Sequence, residues 1–207
     1  MGTAAFYQAV TGGGQRTMKT ILYDGAPTRA NDRADLPEGR PEQEMRTYRF
    51  LDKTGISYKR ADHDRAENME DCQQIEKVLK APICKNLFLC NRQKTNFYLL
   101  LMPGDKPFKT KEITKQIGSA RLSFGPEEFM WEFMNCHQGS ASVLGLMNDK
   151  EGRVRLLVDE DLKKNPYLGA HPCNNTSTLK LHTKDVFGKF LELTGHDAVY
   201  VKLTGQG

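Results

Sequence analysis

A single-domain, mixed-sheet α+β fold is what this sequence predicts, and three observations lead there. Runs with a helical apolar period intermix with runs rich in branched and aromatic residues, without the regular strand–helix–strand rhythm of a parallel sheet. No repeat of about 20 to 50 residues is present. At 207 residues, the chain can bury one sizeable core but would cramp a second full domain.

The elements follow in order. Residues 1–17 carry a Gly run and no sustained period, and read as a leader or extension outside the fold, with Met18 as a candidate natural start. Residues 18–40, rich in Gly, Pro, Asp and Arg, read as an extended arm, which leaves 41–207 as the folded domain. A helix is predicted from Pro41 to Thr54, with Met45, Tyr48, Phe50 and Leu51 near helical spacing and Gly55 as its C-terminal cap. Ile56 to Asp62 alternates like a strand. Asn68 suits the N-cap of a helix whose stripe is Cys72, Ile75, Val78 and Leu79, ending before Pro82. NLFLCNRQ and NFYLLLMPG, separated by a polar Lys-Thr turn, form a hairpin. Thr110–Ile117 reads as a helix and Arg121–Phe124 as a short strand. Pro126 then opens a helix with Phe129, Met130, Phe133 and Met134 inward. RVRLLVDE is a strand, Lys163–Pro166 a turn, and YLGAHPCNNTSTLKLHT two strands around a polar bend. Thr183 is placed to cap a last helix stopped by Gly195, before the strand AVYVKL.

Composition excludes several function classes. No apolar stretch approaches the ~20 residues that cross a bilayer, and no secretory pattern opens the chain, so a soluble cytoplasmic protein is expected. Five cysteines, none in a C-x-x-C pair, read as reduced thiols. The net charge of +4 is unevenly spread: residues 77–121 hold ten Lys or Arg against Asp105 and Glu112, a local +8. Such a run suits a polyanion-facing surface, although a solvated lysine face is the commoner outcome.

The chemically prominent residues are weak candidates. Cys136 and His137 are sequence neighbours, whereas a thiol nucleophile and its base are brought together by folding. With His171 and Cys173 they would supply zinc ligands, in a spacing that matches no common structural site. Asp62-His63-Asp64 suits a cation less well than a hydrogen-bonded histidine at a strand end. Gly12–Gly14 and Gly139 lack the endings of phosphate-binding loops, and no G-x-S-x-G elbow marks Ser140 or Ser142 as a nucleophile. No metal or cofactor is expected. What remains is Lys85 at a Pro-to-strand junction, the small-residue loop Gly139–Ser142, and His171 in GAHPCNNTST. Taken singly, these are a surface lysine, a tight turn and a structural histidine.

Their order and context resemble a known family. ICKNLFL, LMPGDK, RLSF, QGSASVLGLMND, VRLLVDEDL, AHPCNNTSTLKL and FLELTGHD together resemble the YbaK-like aminoacyl-tRNA editing family, in its prolyl-tRNA synthetase-associated branch, over about Gly39 to Leu203. The resemblance implies a mixed, partly barrel-like β-sheet flanked by helices. It also implies a trans-editing deacylase that hydrolyses mischarged alanyl-tRNA(Pro). The partners implied are the tRNA(Pro) acceptor end, with prolyl-tRNA synthetase as a candidate second, and neither membrane nor DNA. The family's lysine falls on Lys85, and its Gly-x-x-x-Pro loop on Gly139–Val143, with Val143 in place of proline. Its F-H-P…N-T-A-T segment is matched by Ala170, His171, Pro172, Asn175, Thr176, Ser177 and Thr178, with Ala170 in place of an aromatic.

On that footing Lys85, Gly139, Ser140 and Ala141 are the expected catalytic residues. Lys85 supplies a fixed charge and the loop supplies backbone N–H groups to an oxyanion. Ser142, Val143, Gly145, Leu146, Asn148, His171, Asn175 and Thr176 are expected to bind substrate. The basic run, with Phe88, Phe97, Tyr98 and Phe108 interleaved, is a candidate track for the acceptor stem or simply core. Two alternatives stay open: another acyl group (Cys, Ser, Thr or 2-aminobutyrate), or a tRNA-binding regulatory protein that does not hydrolyse.

Overall fold

The computed structural model describes residues 6–7, 18–25 and 39–205. Among the described residues, ten strands form two five-stranded sheets. The first has the order β1-β2-β3-β9-β8 and comprises β1 (Phe6–Tyr7), β2 (Thr20–Asp24), β3 (Tyr58–His63), β8 (Tyr167–Ala170) and β9 (Ser177–His182), all antiparallel. The second has the order β10-β7-β5-β4-β6 and comprises β4 (Cys84–Asn91), β5 (Phe97–Pro103), β6 (Leu122–Phe124), β7 (Val154–Asp159) and β10 (Ala198–Val201). It is mixed: β10, β7 and β5 run parallel, whereas β4 pairs antiparallel with β5 and with β6. A parallel bridge between Ile83 and Gly169 joins the two sheets at one corner. The single α+β domain is thus as expected, and its mixed character resides in the second sheet.

The central position of β5 explains its composition. Phe97, Leu99 and Leu101 enter the main core between the sheets, while Tyr98, Leu100 and Met102 enter a second core beneath α3 (Thr110–Gln116). A strand buried on both faces reads as one continuous apolar run rather than an alternating one. The main core is closed by α1 (Glu42–Thr54), through Tyr48 and Leu51, and by α4 (Glu127–Met134), through Met130, Phe133 and Met134. Each such side chain, once fully buried, contributes roughly 1.5–3 kcal/mol. α2 (Met69–Leu79) covers the first sheet with Ile75 and Leu79 against Ala61, Ile83 and Met18.

Local chemistry sets the helix ends. Gly55 closes α1 at φ 65°, and the Asn68 side chain accepts from the Asp71 N–H at the start of α2. Two expected caps move by one position. Pro126 is the N-cap of α4 rather than its first residue, and His182 precedes the last helical stretch, of which Thr183 is already a member. That stretch runs through α5 (Thr183–Asp185), a π turn (Val186–Phe190) and α6 (Leu191–Thr194) to Gly195. The extended 18–40 arm contributes β2, and the 1–17 segment contributes β1; residues 1–5, 8–17 and 26–38 lie outside the described residues.

Candidate active site

The corner that joins the sheets also assembles the site. Gly169 N–H donates to the Pro82 carbonyl at 2.7 Å. A Cβ on Gly169 would stand 3.1 Å from Ile83 Cγ1, so the glycine permits the close approach. Lys85 lies two residues beyond Ile83, and His171 two beyond Gly169. Lys85, His171, Gly139 and Ala141 line one cavity of ≈ 200 Å³, whose wall Asn86, Glu76, Cys72 and Gly104 extend.

Lys85 is held from behind. Its ammonium donates to the Lys106 carbonyl at 3.0 Å. Lys106 is itself fixed by Asp159 at 2.6 Å, Asp161 at 2.7 Å and the Leu203 carbonyl at 2.8 Å. Burial opposes the charge of Lys106, but hydrogen bonds to Asp159 and Asp161 outweigh it and raise its pKa; the bond from Lys106, with a second from Lys164, brings Asp161 down to about 2.

The loop after α4 begins where Asn135 takes the left-handed conformation, φ 53°. Its N–H groups are mostly consumed. Gln138 N–H donates to Glu127 at 3.0 Å, and Ser140 N–H to the His137 carbonyl at 2.9 Å. Ser142 N–H faces the Cys136 thiol, Val143 N–H donates to Asn86 Oδ1 at 3.1 Å, and Leu144 N–H to Ser142 Oγ at 3.1 Å. Among the described residues, the loop amides with no hydrogen-bond acceptor are those of Cys136, Gly139 and Ala141, and of these Gly139 and Ala141 line the cavity. Ser140 therefore departs from its expected role as a backbone donor, because its own tight turn uses its N–H. Gly139 sits at φ 84°, where a side chain is strained.

His171 is anchored by Nδ1, 2.9 Å from the Ser177 carbonyl and 3.3 Å from Thr178 Oγ1. Burial lowers its pKa, which the bond to Ser177 counters only in part, so the ring is neutral near pH 7. A carbonyl acceptor at Nδ1 places the proton there and leaves the Nε2 lone pair free. Ser142 Oγ donates to the His171 carbonyl at 2.5 Å, tying the two loops together.

The remaining expected substrate contacts support the site from outside the cavity wall. Val143 and Leu146 are fully buried in the main core. Gly145 packs where a Cβ would meet Cys136 Sγ at 2.9 Å and the Met134 carbonyl at 3.0 Å. Asn148 bonds to the Met134 carbonyl and borders a separate cavity beside Trp131. Asn175 abuts Gly139 and donates to the Ala66 carbonyl at 2.9 Å, and Thr176 accepts from Asn174 at 2.8 Å. Ala170 is core as well. Cys136 is buried beside Cys173, whose hydrogen bond, with burial, pushes its thiol well up; His137 lies outside, stacked on Trp131 at 4.3 Å. Among the described residues, no group of three or more His, Cys, Asp or Glu side chains is placed to share an ion.

Phe88, Phe97 and Tyr98 are core, and Phe108 packs partly buried against the second core. Sequence reasoning missed Asn86, Glu76, Cys72 and Gly104. Asn86 directly follows Lys85 and was the most accessible of them, since neighbouring strand residues flank the same junction.

Residues 63–188 match the family described as the aminoacyl-tRNA editing domain. The chain belongs to that family. The matched span of this editing domain contains Lys85, the Gly139–Ser142 loop and His171, and the resemblance read from its motifs is borne out. The prolyl-tRNA editing protein ProX of Acetoanaerobium sticklandii is 29% identical over 136 residues, covering 66% of this chain and 83% of that protein. Prolyl-tRNA synthetase associated domain-containing protein 1 of Mus musculus is 30% identical over 142 residues, covering 67% and 83%. A solved structure described as a candidate trans-editing enzyme for prolyl tRNA synthetase superposes with a TM-score of 0.58 at 17% identity, over 79% of this chain and 99% of that one, so the editing-domain fold is shared. No helix among the described residues is long and apolar enough to cross a membrane.

Proposed function

We propose that the protein is a trans-editing deacylase that hydrolyses alanyl-tRNA(Pro). The observation that carries this reading is the convergence of the Lys85 ammonium, the free amides of Gly139 and Ala141, and neutral His171 on one small cavity. The names of the similar proteins support a prolyl-tRNA context.

An aminoacyl ester is already activated, so its hydrolysis needs a positioned water and donors for the oxyanion that forms on the carbonyl. Water adds to the carbonyl carbon, and the tetrahedral oxyanion is received by the N–H groups of Gly139 and Ala141. Collapse expels the ribose oxygen, which takes up a proton, and leaves free amino acid and uncharged tRNA. Lys85 holds the terminal phosphate or the carbonyl as a charged donor, and its tether to the Lys106 carbonyl keeps it in one place. His171 shapes the acyl end and offers the Nε2 lone pair to the substrate or its water. Glu76, the one carboxylate in the wall, has an oxygen committed to Ile83 N–H at 2.7 Å. No protein nucleophile is required.

Size supplies the selectivity. A cavity of ≈ 200 Å³ suits a small acyl group, and a second pocket that admits alanine compensates for the ~1–3 kcal/mol by which a prolyl site disfavours it. The decisive measurement is a panel of tRNAs charged with Ala, Pro, Cys, Ser, Thr and 2-aminobutyrate, assayed at one salt concentration. We expect alanyl-tRNA(Pro) to be cleaved and prolyl-tRNA(Pro) spared. Lys85→Ala should fold normally while losing about 10²–10³ in rate, the scale of one lost oxyanion-type donor. Fast cleavage of the prolyl ester, or full activity without Lys85, would sink the reading.

A further inference from the structure

Phe124 ends β6, an edge strand, and its ring is 67% exposed, in contrast to Phe88 and Phe97 at 5% and 1%. It stands between two cavities. One, ≈ 400 Å³, runs from Phe124 past Phe88, Gly125 and Pro126 to Gly139 and Ala141. The other, ≈ 540 Å³, runs from Phe124 past Phe108 to Lys85, Lys109 and Lys111. Both thus reach the catalytic cavity, one at the amides and the other at the ammonium. The floor of the first is shaped for a flat apolar object. Gly125 lies so close on the Phe88 ring that a Cβ would come within 2.5 Å of it, which leaves no side chain to fill the space.

Charge and aromaticity are arranged in sequence along this surface. Lys109 and Lys111 are exposed and border the Phe124 ring on one side. Glu127, which borders the first cavity, bonds to His137 and the Gln138 N–H. Glu112 is bound to Thr204. An exposed ring beside exposed lysines is the combination that holds single-stranded nucleic acid: the ring stacks a base, and the lysines follow the phosphates.

We propose that Phe124 is the stacking platform for the unpaired 3′-terminal base of the RNA, and that Lys109 and Lys111 receive the phosphates preceding it. The base attached to the ribose at Gly139 and Ala141 lies along the first cavity, and the strand leaves across the second. This subsite rests on the deacylase reading for its placement, but it can be tested by binding alone.

The probe is an uncharged RNA hairpin with a single-stranded 3′ end whose terminal adenine is replaced by 2-aminopurine, a fluorophore quenched by stacking. The wild-type protein should quench it. Phe124→Ala should abolish quenching and weaken binding by roughly 5- to 150-fold, the equivalent of about 1–3 kcal/mol for one base–aromatic stack, whereas Phe124→Trp should retain both. Lys109→Ala with Lys111→Ala should keep the quenching and flatten the salt dependence by about 0.7 log unit per lysine. On mischarged tRNA, Phe124→Ala should raise KM with kcat kept. An unquenched probe with wild type, or quenching that survives Phe124→Ala, overturns the subsite. Phe124-dependent quenching without any deacylation upholds the subsite and overturns the enzymatic reading instead.

Discussion

Val143 occupies the first position of a 3-10 turn, Val143–Asn148, directly after the extended Ser142 at φ −150° and ψ 144°. That is a site proline favours, since its fixed φ suits a first helical residue and its predecessor is already extended. Valine brings an N–H that proline lacks, and Asn86 Oδ1 accepts it. The loop is therefore held by a side chain from β4 where a ring would otherwise have stiffened it. Asn86→Ala should strand this amide, lower stability by about 1–3 kcal/mol and slow deacylation, while Val143→Pro added to Asn86→Ala should restore much of both. A double-mutant cycle in urea melts and in turnover checks this, and a purely additive result would refute the compensation. That Lys85, Gly139 and His171 belong together was legible from motif order, and they line one cavity. The silence of the Ser140 amide was not, because hydrogen bonds within a seven-residue loop depend on its closed geometry.

At the scale of elements, α1 is riveted to the first sheet by buried charge. Arg40 bridges Glu44 at 2.6 Å and Asp62 at 2.5 Å, and Glu44 also accepts from Tyr48, Asn174 and Ser177. Removing one partner of such a group leaves the other charge buried, so Glu44→Ala should cost about 3–5 kcal/mol and disturb the bend that carries His171. A urea midpoint near wild type would contradict it. The loop between β5 and α3 depends on a more exposed cluster. Asp161, with a folded pKa of about 2 against 3.8, contributes stability that is complete above pH 3.8 and lost as pH falls toward 2. Lys106→Met should flatten that acid-side slope in melts between pH 2 and 5, leaving the part that Lys164 supplies, and, by loosening the loop whose carbonyl holds the Lys85 ammonium, reduce kcat more than KM. Helix ends were readable wherever a single residue caps them, as at Gly55 and Asn68. Pro126 and Thr183 shifted by one because either neighbour satisfies the local rule.

At the scale of the whole molecule, β2 shows what a sequence withholds. TILYD lies in a segment rich in turn residues, and its partner β3 begins more than thirty residues later, so nothing local announces the pairing. Once paired, it covers the outer edge of β3, and Met18 joins the cluster under α2. Deleting residues 1–25 should expose that edge, lower the melting temperature and promote self-association, measurable by light scattering. A monomer of unchanged stability would count against this. Three of the rings interleaved in the basic run filled the two cores and Phe108 packs against the second, because alternation in a central strand does not separate a solvent face from a second buried one.

The tail of the chain has a practical meaning for anyone handling the protein. Leu203 lends its carbonyl to Lys106, and Thr204 is bound by Glu112 of α3, so these residues clasp both the loop on which the Lys85 ammonium rests and the helix that follows it. A purification tag appended beyond this clasp should loosen the support of the Lys85 ammonium and slow turnover, whereas the same tag at the other terminus should leave the rate unchanged.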